Sequence, residues 1–366
     1  MLSALPKLAD KAFVVGFFLP VLLFSLAFLA LFLDVPSFSN IMRSISKTED
    51  LEKLAYATLA VWLLSILLLM INHVQYRLLE GYVWPLNRIS RLRARERDRF
   101  LADKKRIDEL TEEWKRIGDG FPPQQQRERD RLLRTFVRAF PSKEEHLLPT
   151  RFGNAIRAFE VYSSDVYGAD SVPLWPRLAT VISNELKGLL DDARAQVDFM
   201  VNICCLAAIL AIIATIKLLV RLAAWGPPWI GQDEFISSSS LYVAVFLLAS
   251  VVICNVAYRW SIEQIETWGT IVKAAFDCYL PALAKLLGYQ LPHGEFEQRA
   301  FWIAVSQMAI YHRPMPDGRW PRIRDEPEKQ KIDRSDGAAP DETGRPDRAN
   351  GDRSGPAPLN ETRSFL

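Results

Sequence analysis

Four long stretches of this sequence carry almost no charge, and they limit the fold more than any other feature. They are AFVVGFFLPVLLFSLAFLALFL at 12–33, LAYATLAVWLLSILLLMI at 54–71, FMVNICCLAAILAIIATIKLLV at 199–220 and LYVAVFLLASVVICNVAY at 241–258. A helix that crosses a bilayer needs about 20 apolar residues, since the hydrocarbon core is about 30 Å thick and each residue rises about 1.5 Å. A buried helix in a soluble protein keeps a polar stripe, and these stretches barely have one. Each is therefore expected to span a membrane. Whole-chain averages conceal this, because 49% hydrophobic and 24% charged residues would suit a soluble protein. Four cysteines, three of them inside the apolar stretches, exclude a disulfide framework.

Lys7 and Lys11 precede the first stretch, as basic residues precede a signal peptide. The run is longer than the usual core of about 7–15 residues and lacks a small-x-small cleavage site, so it is expected to be retained. Pro20 is expected to kink it, because proline removes a backbone donor and clashes with the preceding turn. Lysine and arginine concentrate on the cytoplasmic side of a span. The connection 34–53 carries only Arg43, Lys47 and Lys53, and 222–240 carries neither residue type. After the second stretch comes RISRLRARERDRF, then KKR. Both termini and the middle segment are therefore expected to be cytoplasmic. Trp225, Trp229 and Tyr242 then fall at the outer interface, and Tyr258 and Trp260 at the inner one.

Ionisable residues are absent from the centres of the stretches, and Lys217 lies about one turn from the end of the third. This argues against proton pumping and ion-coupled transport. Asn202 and Asn255, beside Cys204, Cys205 and Cys254, are candidates for hydrogen bonds between helices or for pore lining.

The rest of the chain reads as helices. Residues 88–106 hold nine basic and three acidic residues. They suit anionic lipid headgroups as partners, or simply mark the inner side of the membrane; nothing resembles a nucleic-acid fold. Ile107, Leu110, Trp114 and Ile117 form one apolar stripe, fit for a coiled coil or bundle. Gly118, Gly120, Pro122 and Pro123 end that helix, and Leu132, Leu133, Phe136 and Phe140 line the next. In LPTRFGNAIRAFEVYSSDVYGADSVPLWPRL, Thr150 is expected to cap a helix running to about residue 162. A turn is expected over 165–170 around Gly168. Pro173 and Pro176 bracket Leu174 and Trp175, and a helix starting near Arg177 is expected to feed into the third apolar stretch. Arg151, Asn154, Arg157, Glu160, Asp170 and Arg177 are the candidate ligand or partner contacts, since arginines hold anionic groups bidentately. The competing reading makes them ion pairs and turn hydrogen bonds that fix a compact loop. Beyond residue 258, Trp260, Ile265, Trp268, Val272, Phe276 and Tyr279 recur at helical spacing. Pro281 is expected to break or kink that helix, Gly288 to end it, and a further helix to cover about 295–311. From 322 onward, Asp, Arg, Pro and Gly dominate, and the tail is expected to be disordered.

No catalytic, cofactor-binding or metal-binding residue is assigned. His73, His146, His293 and His312 are scattered, without an H-E-x-x-H, a phosphate-binding glycine loop or a G-x-S-x-G elbow.

The pieces LPTRFGN, RAFEVY, YGAD and LWPRL at 148–154, 157–162, 167–170 and 174–178 resemble a segment of uncharacterised bacterial multi-pass membrane proteins. AAFDCYLPALAKLLGYQLP is similar to their C-terminal helices. The resemblance implies a bacterial inner-membrane protein with paired spans around a cytoplasmic domain, and no activity. The expected fold is thus an all-α integral membrane protein, with four transmembrane helices as two hairpins and a cytoplasmic helical bundle. The division is 1–72 and 199–258 for the hairpins, 73–198 and 259–321 for the bundle, and 322–366 for the tail. The expected function is a non-enzymatic membrane-anchored sensor or scaffold with a cytoplasmic protein partner. The alternative is a homo-oligomeric pore or membrane-perturbing effector, which a role in bacterial defence would suit.

Overall fold

The structure, a computed structural model, describes residues 10–32, 51–223, 238–316 and 318–323. The loops with Arg43, Lys47, Trp225 and Trp229 lie outside the described residues, as does the tail beyond 323. Side chains of 51–53, 222–223 and 238–239 are likewise not described. Among the described residues the chain is all-helical, with only one isolated β-bridge, between Tyr289 and Arg322.

Four helices among the described residues are long and apolar enough to cross a membrane. The first, α1 (Lys11–Leu31), contains a π turn at Val14–Phe18, where the Leu19 N–H reaches back to the Val14 carbonyl. Pro20 explains the turn. Its ring crowds the carbonyl four residues earlier and it has no N–H to give, so the helix widens ahead of it. The others are α2 (Leu51–Glu80), α8 (Asn184–Ala223) and α9 (Ser238–Leu286). Between them lie α3 (Ser90–Ile117), α4 (Pro123–Ala139), α5 (Arg151–Glu160), α6 (Tyr162–Tyr167) and α7 (Ser171–Val181). Helix α10 (Glu295–Tyr311) follows α9.

The boundaries expected at 72, 198 and 258 all fall inside helices. Helices α2, α8 and α9 continue from their apolar stretches into the polar half of the molecule without a break. Helix α7 begins at Ser171, six residues ahead of the expected Arg177. Pro173 sits in its first turn, where its missing N–H has no intrahelical acceptor. Asp170 caps it by accepting from the Val172 N–H at 3.2 Å. A break at Ile182 and Ser183 separates α7 from α8, so continuity into the third stretch starts at Asn184. The expected turn at 165–170 is half helix: α6 runs to Tyr167 and only Gly168, at φ +76°, leaves it. Pro281 is carried inside α9, which ends at a Gly288 with φ +80°.

One large core joins α5, α7, α8, α9 and α10, with Phe152, Leu178, Val197, Ile265, Phe276 and Trp302 fully or almost fully buried in it. A smaller core of Phe13, Phe17, Val21, Leu68 and Leu206 ties α1, α2 and α8 together. Helices α3 and α4 pack through Phe100, whose ring lies 5.1 Å from Phe136 and 5.7 Å from Phe140. The cysteines are free, and the Cys204 and Cys254 sulfurs are 3.7 Å apart.

Candidate functional site

The six polar residues singled out at 148–178 do not converge on one site. Thr150 caps α5, as expected, by accepting from the Gly153 N–H at 2.9 Å, and donates to the Leu79 carbonyl of α2 at 2.7 Å. Asn154 is fully buried; its Oδ1 accepts from the Leu148 N–H at 2.7 Å and its Nδ2 donates to Glu96 at 3.3 Å. Arg151 lies 3.8 Å from the same Glu96, and Arg99 pairs with it at 2.9 Å. Glu96 therefore joins the basic helix α3 to the start of α5. It is an acid hidden in a basic run, and the signal that marks it is its spacing four residues before the buried Phe100. Asp170 serves as the α7 cap, and Arg177 donates to the Pro173 carbonyl of its own helix at 2.8 Å. Helix caps, a bond within α7 and the contacts to Glu96 account for all of these.

Arg157 and Glu160 differ. They pair at 3.1 Å, yet the Arg157 Nε is buried and lacks a hydrogen-bond partner. Burial pushes the Glu160 carboxyl above its ordinary range; the Arg157 pair opposes that rise and Asp170 adds to it. Glu80, at the end of α2, is within electrostatic reach of Glu160, Arg77 and Arg157.

Glu160 and Glu80 line a cleft of about 600 Å³ between α2, α5, α7, α8 and α9. Its walls include Tyr76, Phe159, Trp175, Trp268 and Phe276. Trp268 meets Phe159 edge-on at 5.1 Å, and Trp175 lies 6.1 Å from Phe276. Exposed His73, Arg77 and Arg194 supply positive or protonatable groups at its mouth. Leu69, from the apolar stretch of α2, also lines it, so the cleft opens where the apolar half meets the polar half.

Three residues that line the cleft converge on a buried acid that hydropathy leaves unmarked. Asp198 is 5% exposed and accepts from Asn72 Nδ2 at 3.0 Å and from the Tyr76 hydroxyl at 2.8 Å; Arg194 is 3.8 Å away. It stands directly before the third apolar stretch. The Asn72 Oδ1 is left buried without a hydrogen-bond partner.

Of the two span asparagines, Asn202 is fully buried and donates to the Gly16 carbonyl at 2.7 Å. Asn255 lies on the exposed surface of α9. Lys217 donates to the Leu31 carbonyl at the end of α1, and its ammonium lies 4.7 Å from the Phe32 ring. Among the described residues no group of three or more His, Cys, Asp or Glu is placed to hold a metal ion.

Compared with known proteins, the chain matches no protein-family model, no curated protein and no solved structure.

Proposed function

We propose that the chain is a multi-pass protein of the bacterial inner membrane that acts, without catalysis, as a membrane-anchored sensor or scaffold. The apolar helices span the bilayer as two hairpins. Both termini and the polar half lie in the cytoplasm, where the polar half binds a protein partner and the basic α3 faces anionic headgroups.

The exposed apolar surface supports the membrane placement. Leu63, Met70 and Leu248 are 59%, 69% and 65% exposed on helices whose neighbours are equally apolar. A soluble monomer rarely leaves such surface contiguous beyond a few hundred Å². The observation that carries the sensor reading is continuity. Helices α8 and α9 each run unbroken from an apolar stretch into the main core, which holds Val197, Ile265 and Phe276. Binding at the polar half therefore acts directly on the helices that cross the bilayer, and the reverse.

The test is native mass spectrometry of the protein extracted gently from its own membranes. A stoichiometric complex with another protein is expected. A closed homo-oligomer alone, which also makes proteoliposomes leak ions, would replace this reading with the pore.

A further inference from the structure

The junction cleft has an unusual combination of walls. Carboxylates stand in it beside aromatic rings, while guanidinium groups stand at its mouth. Glu160 is pulled into a site where burial disfavours its charge, and only Arg157 is paired with it. A second acid, Glu80, lines the same space. Glu80 makes no ion pair among the described residues, so a cation that enters the cleft finds a partner there. Trp175, Trp268 and Tyr76 line the same space, and an aromatic ring attracts positive charge to its face. The carboxylates narrow the choice, because a cation with N–H groups gives each of them a charge-assisted hydrogen bond. A primary ammonium does this, and a quaternary one does not.

The other end of the ligand is anionic. Arg77 and Arg194 are both exposed at the mouth. Arg194 reaches Asp198 only at 3.8 Å, and Arg77 stacks over Tyr82 at 5.9 Å, which leaves guanidinium edges for an oxyanion. Leu69 puts one end of the cleft at the last turn of an apolar stretch, which in a spanning helix is headgroup depth.

We propose that this cleft binds the headgroup of a zwitterionic phospholipid that joins a phosphate to a primary ammonium. Glu80 and Glu160 hold the ammonium beside the aromatic walls. Arg77 and Arg194 hold the phosphate, and the acyl chains run down the apolar face past Leu69. The proposal rests on the membrane placement above and supplies the sensor with its ligand class, a bilayer lipid.

The experiment uses the full chain, stripped of lipid in detergent and given equimolar phosphatidylethanolamine, phosphatidylcholine and phosphatidylglycerol. Native mass spectrometry reads which lipid is retained. Retention of phosphatidylethanolamine is expected to exceed that of the other two about tenfold, the equivalent of one charge-assisted hydrogen bond. Glu160→Gln should abolish the preference. Arg77→Gln, on an exposed turn, should weaken all three lipids together and keep the test open if the first variant fails to fold. Equal retention of the three lipids overturns the proposal, as does a preference that survives Glu160→Gln. So does displacement by free phosphoethanolamine at the lipid's own concentration, which would make the ligand a soluble zwitterion. An alkaline wash of native membranes runs alongside. A chain that stays in the pellet but shows no lipid preference sinks the cleft proposal and leaves the membrane placement standing.

Discussion

The side-chain amide of Asn202 donates a 2.7 Å hydrogen bond to the backbone carbonyl of Gly16. Gly16 is four residues before Pro20, so its carbonyl is the one that Pro20 cannot serve. Close approach makes the bond possible: a Cβ at Gly16 would stand 3.3 Å from the Asp198 Cβ, and any larger side chain would push α1 off α8. Asn202→Leu is expected to cost about 0.6–1.7 kcal/mol, the range of interhelical hydrogen bonds in membrane proteins. Pro20→Ala restores an N–H that can reach Gly16 along the helix. In that background the cost of Asn202→Leu should fall. A double-mutant cycle of unfolding in mixed micelles measures this, and additive costs would mean the two sites are independent.

The two polar contacts to Glu96 should differ sharply in worth. Asn154→Ala removes a fully buried amide and strips the part-buried Leu148 N–H of its acceptor, which costs about 1–3 kcal/mol. Arg151 is half exposed and 3.8 Å from Glu96, so Arg151→Ala should cost about 0–1 kcal/mol. Urea unfolding of the detergent-solubilised chain gives both values, and equal losses would show that Arg151 is more than a surface pair.

Sequence reasoning reached some of this and missed the rest for physical reasons. Thr150 was legible as a cap because the cap is set by neighbours in the chain. The helix at Glu295–Tyr311 was legible from its apolar spacing. The cleft was not, because Glu80, Glu160, Trp268 and Arg194 come from four helices far apart in sequence, and only packing brings them together. Asp198 was missed because hydropathy draws a boundary at the first apolar residue after it, whereas the helix has no boundary there. The sequence points to a later start for α7 because Pro173 and Pro176 bracket Leu174 and Trp175. Pro173 occupies a first turn, and Pro176 gives up its bond to Val172, which is exposed at 63%.

Two glycine substitutions should move stability in opposite directions. A Cβ at Gly153 would lie 2.6 Å from the Glu80 carbonyl oxygen, a backbone atom that cannot step aside. Gly153→Ala should therefore separate α5 from the end of α2 and cost about 1–3 kcal/mol, as overpacking does. Gly188, inside α8, has nothing within 4 Å of its Cβ position. Gly188→Ala should gain about 0.5–1 kcal/mol from helix propensity alone. Thermal unfolding of the two variants beside the parent reads the opposite signs directly, and a loss at both positions would mean that the Gly188 face is covered.

Glu160 should leave a signature in the dependence of stability on pH. Burial raises its folded-state pKa, Arg157 opposes this, and the net shift is upward. The folded chain then keeps the Glu160 proton to higher pH than the unfolded chain, where the carboxyl titrates near about 4.3. Stability falls with rising pH wherever the unfolded state binds fewer protons. The contribution of the protonated Glu160 is therefore complete below the unfolded value and is lost as pH rises through the folded one. Glu160→Gln carries no such proton. The unfolding midpoint of the variant minus that of the parent should grow more positive as pH rises above about 4.3. Scanning both proteins in the same detergent tests this; a difference that stays flat would mean that Glu160 has the same affinity for its proton folded and unfolded, and a falling one that the pair with Arg157 outweighs burial.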